Sequence, residues 1–180
     1  MSVTVPGPPV EELEIDDQQA DVAPELIELV RAMVDHRAGE LVYTRRWLHA
    51  RPEVSREEFA TTDALRERLQ AEGLEPRVLG VGTGLVCDIG STGPMVALRA
   101  DIDALVMQDA KHVPYRSMND GACHACGHDV HTAVVLGAGL VLRELISSGR
   151  LEGRVRLIFE PSEERLPGGS LDVIEDGGLE

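Results

Sequence analysis

The spacing of apolar residues predicts helices in the first part of the chain. From Pro24 onward, apolar positions recur every three or four residues, as on one face of a helix, and proline suits a first helical turn. The pattern restarts at Leu41 and continues to Leu48. It stops before Arg51, which precedes a proline and therefore disfavours helix. We predict two helical stretches between residues 24 and 48.

A further helix is predicted after a sequence that is typical of a helix start. Ser55 followed three residues later by Glu58 is a capping-box signature, in which side chains satisfy free backbone amides of the first turn. Residues 59–69 keep helical spacing, and Gly73 is a suitable stop.

The period of the apolar positions then changes. Short aliphatic segments bounded by glycine predict strands over residues 77–82, 84–90, 95–101 and 154–159. The apolar run 130–146 predicts a helix with Asp129 as its N-cap and Gly149 as its stop, and a short helix is predicted over 169–176. Helices interleaved with apolar strands indicate an α/β layer architecture.

Composition sets limits on the domain organisation. A chain of 180 residues suggests one domain, and 43% hydrophobic but only 3% aromatic residues predict an aliphatic core. Residues 1–22 combine prolines with an acidic run and carry little apolar surface to offset ordering entropy, so we predict a disordered extension there. The folded part is then 23–180. It stops after a predicted helix with no following strand, as an interrupted α/β unit does.

Charge argues against two classes of partner. The net charge of −15 disfavours nucleic acid and anionic membrane surfaces, which both attract clustered Lys and Arg. The sequence predicts neither a membrane-spanning segment, which needs about 20 apolar residues, nor a secretory signal. Three cysteines, two of them close together, do not make a disulfide framework, so we expect a cytoplasmic location.

Three polar clusters lie at the ends of predicted elements. Asp101 and Asp103 follow an apolar strand, where open α/β sheets usually bind ligands, although aspartates at that position also cap turns. Glu163 and Glu164 follow another strand, where adjacent glutamates are ordinarily a solvated pair. Between them, residues 121–132 (GACHACGHDVHT) hold two cysteines, three histidines and an aspartate. A metal site is the first hypothesis for that segment.

The residues alone leave three interpretations of this segment open. Cys123 and Cys126 have the spacing of a redox pair. The same two cysteines with His128 and His131 could form a compact structural zinc site, although four ligands within nine residues close poorly around one ion. Alternatively, only some of these residues ligate a catalytic metal and carboxylates complete the sphere. Thiolate, imidazole and carboxylate together suit Zn²⁺, Mn²⁺ or Co²⁺.

Three motifs, in this order, resemble the metal-dependent amidohydrolases that cleave N-acyl amino acids. They are LRADIDAL, HACGHDVHT and RLIFEPSEE, and HACGHDxH is a specific motif. The family includes aminoacylases, hippurate hydrolases and hydrolases of auxin–amino acid conjugates, and it is related to the zinc exopeptidases. Residues 45–74 also resemble the family's first helical stretch, so the similarity covers about residues 40–180.

The resemblance implies roles for the matching residues. Cys126 and His128 resemble metal ligands, with the thiolate able to bridge two ions. Glu164 resembles a third ligand, and Glu163 resembles the general base that takes a proton from water. Supporting positions around the site match Asp101, Asp103, Asp129 and His131. Other positions depart from what the family usually shows: Cys123 stands where methionine is common, Glu160 where glutamine is common and Ser162 where alanine is common.

The resemblance also implies a fold and an activity. The expected fold is a three-layer, zinc-exopeptidase-like α/β domain with a central, mostly parallel mixed sheet, incomplete at its C-terminal end. The expected reaction is hydrolysis of the amide bond of N-acyl amino acids or similar small amide or peptide substrates, with two divalent ions (Zn, Mn or Co) in a complete site. The full-length protein is expected to be a homodimer.

The family also sets an expectation for this length of chain. Further histidine ligands and a smaller dimerisation domain follow this point in the family, and no histidine follows His131 here. We therefore expect residues 1–180 alone to hydrolyse slowly or not at all. The alternative function is a non-catalytic fragment or a structural zinc-binding module.

Overall fold

The computed structural model describes residues 22–180, and this part contains four helices and four strands. The predicted extension over residues 1–22 lies outside the described residues except for Val22. In chain order the elements are α1 (Pro24–Ala50), α2 (Phe59–Ala71), β1 (Arg77–Val78), β2 (Leu85–Ile89), β3 (Met95–Asp101), α3 (His128–Ser147), β4 (Arg154–Glu160) and α4 (Ser170–Glu175).

The four strands form one mixed sheet in the order β1-β2-β4-β3. β3 and β4 are parallel, whereas β2 pairs antiparallel with both β1 and β4. The predicted mixed sheet is confirmed, but among the described strands antiparallel pairs outnumber parallel ones. The short connection between β1 and β2 suits an antiparallel pair, whereas the parallel pair of β3 and β4 is joined by a crossover that contains α3.

Helices cover both faces of the sheet, as the three-layer expectation requires. Along β2, Leu85, Cys87 and Ile89 belong to the main core cluster with residues of α2 and α3. The alternate residue Val86 packs in a second cluster with Val173 of α4. This alternation follows from the two-residue period of a strand. The core is aliphatic as predicted, with Phe159 as the one aromatic side chain among the buried hydrophobic residues described.

α3 lies close to its neighbours at two glycines. A Cβ added at Gly137 would lie 2.7 Å from the Leu41 side chain of α1, and one at Gly139 would lie 2.4 Å from the Leu157 side chain of β4. Larger residues at these positions would push the helix away from α1 or from the sheet. Close packing here fixes the axis of α3, and with it the first turn of the helix at the end of the sheet.

α1 is one continuous helix where the apolar spacing predicted two stretches. The apparent break lies at polar residues around Arg37, whose guanidinium is 3.6 Å from Glu72 and 3.3 Å from Glu144. Glu72 directly follows α2, and Glu144 lies in α3. The polar segment therefore faces neighbouring helices instead of interrupting α1.

The predicted capping box is wrong. The start of α2 has no side-chain cap hydrogen bond. Ser55 Oγ instead donates to Asp103 Oδ2 at 2.6 Å. The buried Glu58 carboxylate accepts from the backbone amides of Arg56 and Ser162, at 3.1 and 2.7 Å. Ser55 thus binds the loop that follows β3. Glu58 binds the loop that follows β4 and also supports the turn before α2. The local pattern had predicted that both side chains cap the helix.

The predicted N-cap of α3 is also wrong. The helix begins at His128, and the cap position is Gly127, whose φ of 93° suits a residue without a side chain. Asp129 lies in the first turn, where its Oδ1 accepts from the Val130 amide at 2.9 Å. His128 and Asp129 are consecutive residues of a rigid helical turn as a result.

α3 is the one described helix that is long and apolar enough to cross a membrane by length and composition. Half of that window is buried inside the protein. The helix packs against β2, β3, β4 and α1. These contacts are those of a core helix.

Candidate metal centre

The centre forms where β3, β4 and α3 meet. Asp101 pairs with Glu160 in the parallel register of β3 and β4, so the residues that follow both strands emerge at one edge of the sheet. Asp103 follows the first strand, and Glu163 and Glu164 follow the second. The first turn of α3 lies at the same edge, because its first residues bond to residues at the end of β3.

Three of the residues singled out in the sequence come together there. One ligand atom each from Cys126, His128 and Glu164 lies within 4.8 Å of the other two. His128 Nε2 is 3.8 Å from Glu164 Oε1. Metal–ligand bonds of about 2.0–2.3 Å put neighbouring ligand atoms roughly 3.3–3.8 Å apart around a tetrahedral ion, so this group needs only a small contraction to hold one. Its thiolate, imidazole and carboxylate fit a divalent ion chemically.

Asp103 organises this group. Its fully buried carboxylate accepts from Ser55 Oγ at 2.6 Å and from the Glu164 backbone amide at 3.0 Å. His128 Nδ1 lies 3.1 Å from Oδ1 and 3.0 Å from the main-chain oxygen of the same residue. Since both oxygens only accept, Nδ1 carries the proton and Nε2 faces the glutamates. A carboxylate that orients a ring in this way is the usual support of a metal-binding histidine.

The electrostatics of this pair favour charge on both groups. Burial alone would raise the pKa of Asp103, but hydrogen bonds from His128 and Ser55 lower it below its usual value. Burial opposes charge on His128, yet the hydrogen bonds to Asp103 and Cys126 raise its pKa to about 11. This pKa places the ring in its protonated form at neutral pH, and a metal ion bound at Nε2 would replace that proton.

Asp101 and His131 lie beside the group and contact each other. Asp101 Oδ2 is 3.0 Å from His131 Nδ1 and 3.7 Å from His128 Nε2. Arg99 bonds Asp101 at 2.5 Å and Glu160 at 2.8 Å. The glutamate that replaces the family's common glutamine is thus neutralised by Arg99, away from the ligand atoms.

Asp129 points away from this centre. Its buried Oδ2 is 2.6 Å from His49 Nδ1 and 2.9 Å from Arg45 Nε, both on α1. It supports the centre only by holding the first turn of α3 against α1. The metal-ligand and general-base roles at the centre stay predictions.

The compact structural zinc site does not form among the described residues. Cys123 groups with His49 and Asp109, apart from Cys126 and His128. His131 pairs with Asp101 instead of the cysteines. All three cysteines of the chain are free thiols.

Several polar residues near the centre escaped the sequence reasoning. Ser55 and His49 lie in the stretch that resembled the family's first helix, but their partners are 48 and 80 residues away. His124 lies within the cysteine–histidine segment itself. It is buried, its ring nitrogens have no hydrogen-bond partner, and burial lowers its pKa to about 4. Its position in HACGHDVHT was the one signal that could have singled it out.

Comparison with known proteins supports the motif-based assignment. The family model described as Peptidase family M20/M25/M40 matches residues 97–180. N-acetyl-L-cysteine deacetylase of Bacillus subtilis is 46% identical over 143 residues, which cover 78% of this chain and 34% of that protein. Putative glutamate–cysteine ligase 2-3 of Rhodococcus jostii is 47% identical over 142 residues, which cover 78% of this chain but only 17% of that protein.

A solved structure gives the same result. The Bacillus subtilis YXEP protein, described as a dinuclear metal binding peptidase from the M20 family, superposes with a TM-score of 0.72 at 39% identity. The match covers 83% of this chain and 40% of that one. The chain therefore spans well under half the length of the relatives that it matches. The resemblance to amidohydrolases and the α/β fold class are confirmed, and residues 97–180 of this chain match the model of peptidase family M20/M25/M40.

Proposed function

We propose that this chain supplies part of the active site of a metal-dependent hydrolase that cleaves the amide bond of N-acyl amino acids or similar small amides and peptides. The observation that carries the proposal is the group of Cys126, His128 and Glu164 at the ends of two parallel strands, with Glu163 beside it. The N-acyl amino acid specificity is supported by the deacetylase to which the chain is similar.

Glu163 is suited to the role of general base. Its Oε2 is 4.0 Å from His128 Nε2, so the carboxylate reaches the ligand group. Its side chain is 42% exposed, so it also faces the space from which water and substrate enter. It would take a proton from the attacking water and return that proton to the departing amine. Such a group typically contributes a roughly 10²–10⁴-fold rate effect.

The remaining residues bind and orient. Cys126, His128 and Glu164 would hold the ion, and Asp103 fixes the ring of His128 and the backbone of Glu164 through the contacts described above. When bound, Zn²⁺, Mn²⁺ or Co²⁺ lowers the pKa of a coordinated water and polarises the substrate carbonyl. We propose two ions for the complete site, and Cys126 would be one of the ligands that hold them.

Partners and location follow from charge and cysteine usage. The net charge of −15 favours a small-molecule substrate over nucleic acid or an anionic membrane. Three free cysteines, two of them buried, are typical of a reducing compartment, so we propose a cytoplasmic location. A homodimer of the full-length protein is proposed from the family resemblance.

A hydrolysis assay tests the proposed function. Purified chain is incubated with Zn²⁺, Mn²⁺ or Co²⁺ and a panel of N-acetyl amino acids, and the released amine is measured. We expect slow release that a chelator abolishes, because the described residues gather a single group of three ligands at this edge of the sheet. Release that the chelator leaves unchanged would contradict the proposal, as would absence of release by the full-length protein with every metal and substrate.

A further inference from the structure

A second group of metal-ligating side chains lies apart from the candidate metal centre. His49, Asp109 and Cys123 place a ring nitrogen, a carboxylate oxygen and a sulfur within 4.8 Å of one another. The residues are 0%, 1% and 2% exposed. One comes from α1, and the other two come from separate parts of the loop between β3 and α3. We refer to these three residues as the interior cluster.

His49 presents a lone pair to the interior cluster. Its Nδ1 is 2.6 Å from Asp129 Oδ2, and a carboxylate only accepts, so Nδ1 donates. Its Nε2 is 3.2 Å from the Lys111 ammonium, which only donates, so Nε2 accepts. This tautomer, with a carboxylate behind the ring, is the one in which histidines bind metals.

The second ligand atom is already near its required place. Asp109 Oδ2 lies 3.6 Å from His49 Nε2, close to the roughly 3.4 Å between two ligands on a tetrahedral ion. The carboxylate is held by the backbone amides of Ser117 at 2.9 Å and Lys111 at 3.0 Å. These bonds lower the pKa of Asp109 to about 2, the Ser117 amide contributing most, so the group is ionised at neutral pH.

Lys111 shows that the interior cluster attracts a cation. Its Nζ is 3.2 Å from His49 Nε2, 3.6 Å from Asp109 Oδ1 and 3.8 Å from Cys123 Sγ. One positive charge therefore contacts all three members. The lysine side chain is 44% exposed, so its ammonium can move into solvent without crossing the core.

We propose that the interior cluster is a second divalent-metal site, distinct from the centre at Cys126, His128 and Glu164, and that Lys111 competes with the metal for it. The ligand set of thiolate, imidazole and carboxylate suits Zn²⁺ or Co²⁺, with water in the fourth position. The sequence does not predict this site, because residues 49, 109 and 123 are too far apart in the chain to form a motif with the spacing typical of metal sites.

The exchange of lysine for metal balances in charge. With Lys111 inside, one ammonium faces the Asp109 carboxylate and a neutral Cys123 thiol, whose pKa is raised mainly by burial. With a divalent ion inside, the Cys123 proton is released to solvent, the thiolate and carboxylate neutralise the ion, and the ammonium is solvated. Neither state leaves an uncompensated charge in the interior, where such a charge is strongly destabilising.

Cobalt titration of the purified chain tests the proposal, because a cobalt–thiolate bond gives a charge-transfer absorption band. Cys126→Ser removes the thiolate of the other centre, so any remaining band reports on Cys123 or Cys87. In this background, Lys111→Met deletes the competing charge while keeping the apolar stem. We expect the Cys126→Ser protein to show the band. We expect Lys111→Met to raise the Co²⁺ affinity measured from that band at least tenfold.

Cys123→Met is the control that locates the band. Methionine is larger than cysteine, but it is the residue common at this position in the resembling family, so the fold should be kept, which circular dichroism checks. We expect this change to remove the band and one equivalent of bound metal from the Cys126→Ser, Lys111→Met protein. Absence of a band in the Cys126→Ser, Lys111→Met protein would overturn the proposal. A band that survives the addition of Cys123→Met would also overturn it, because that band would report Cys87.

Discussion

The candidate metal centre and the interior cluster contain the same three kinds of ligand but differ in exposure. In the centre, the Glu164 side chain is 28% exposed, whereas no member of the interior cluster exceeds 2%. The centre is built on strand ends and a helix start, and the interior cluster on a helix and two loop segments. A substrate can reach only the first. Solvent access, more than ligand chemistry, therefore distinguishes the group proposed to be catalytic from the buried one.

The two regions are joined at the first turn of α3. His128 points to Asp103 in the centre, and the next residue, Asp129, points to His49 behind the interior cluster. Consecutive residues of a helix project about 100° apart, so one rigid turn serves both sides. A change on one side can therefore be compared with a matched change on the other.

The largest effect is expected from Glu163→Gln, which tests the catalytic side alone. An amide can hydrogen-bond water but cannot accept its proton, so hydrolysis should fall by roughly 10²–10⁴-fold while bound metal is kept. The measurement is the rate of amine release by the full-length protein, together with its metal content. Glu160→Gln is the matched control, because the Glu160 carboxylate pairs with Arg99 and is not a member of the ligand group. Equal rates for the two variants would refute the general-base assignment.

Asp129→Ala tests the junction between the two regions. It leaves Arg45 and His49 without the buried carboxylate that they share, and breaking a buried pair costs about 3–5 kcal/mol of the free energy of unfolding. Denaturant unfolding measures the loss. Asp63→Ala is the control, since Asp63 is 57% exposed and its pair with Arg66 is worth about 0–1 kcal/mol. Similar losses in both variants would mean that Asp129 does not join the regions.

Cys126→Ser separates the two metal positions. Loss of a ligand should weaken binding at the centre by at least the roughly 10–100-fold that is typical of losing a supporting partner. Metal titration of this variant and of Cys123→Ser gives the comparison, in which Cys123→Ser should leave the affinity of the centre unchanged. If both variants weaken the same binding event, the two cysteines belong to one site and the distinction made here is wrong.

Ser55→Ala should have the smallest effect. Ser55 Oγ donates to Asp103 at 2.6 Å, so its loss loosens the carboxylate that orients His128 without removing a ligand. We expect metal affinity at the centre to fall about tenfold. Titration against the Ser170→Ala variant, which changes a serine at the start of α4, provides the control. An unchanged affinity in Ser55→Ala would show that His128 and Glu164 alone hold Asp103 in place.

Predictions from local pattern succeeded where neighbouring residues decide the structure. The strand over 95–101 and most of the helix over 130–146 were predicted closely, because their apolar periods are local and strong. The order of Asp103, His128 and Glu164 along the chain, each at an element end, also indicated that they could meet. Parallel strands brought two of these three to one edge.

The remaining features depend on packing between distant segments. Ser55 and Glu58 look like a helix cap over four residues, but their side chains bind Asp103 and the Ser162 amide, which folding brings from distant loops. Asp129 likewise has the sequence context of an N-cap, but its carboxylate bonds to His49 of α1, which is 80 residues away.

Sequence alone determined which ligand types this protein has and which ends of its strands and helices they occupy, because those properties follow from residue identity and local periodicity. Only the tertiary structure decided that Cys126 and Cys123 belong to different groups and that Lys111 lies inside one of them. Two residues three positions apart in a loop can face opposite directions, and their surroundings are set by the helix packed against each side. That packing is a property of the whole core, and no short stretch of the chain contains it.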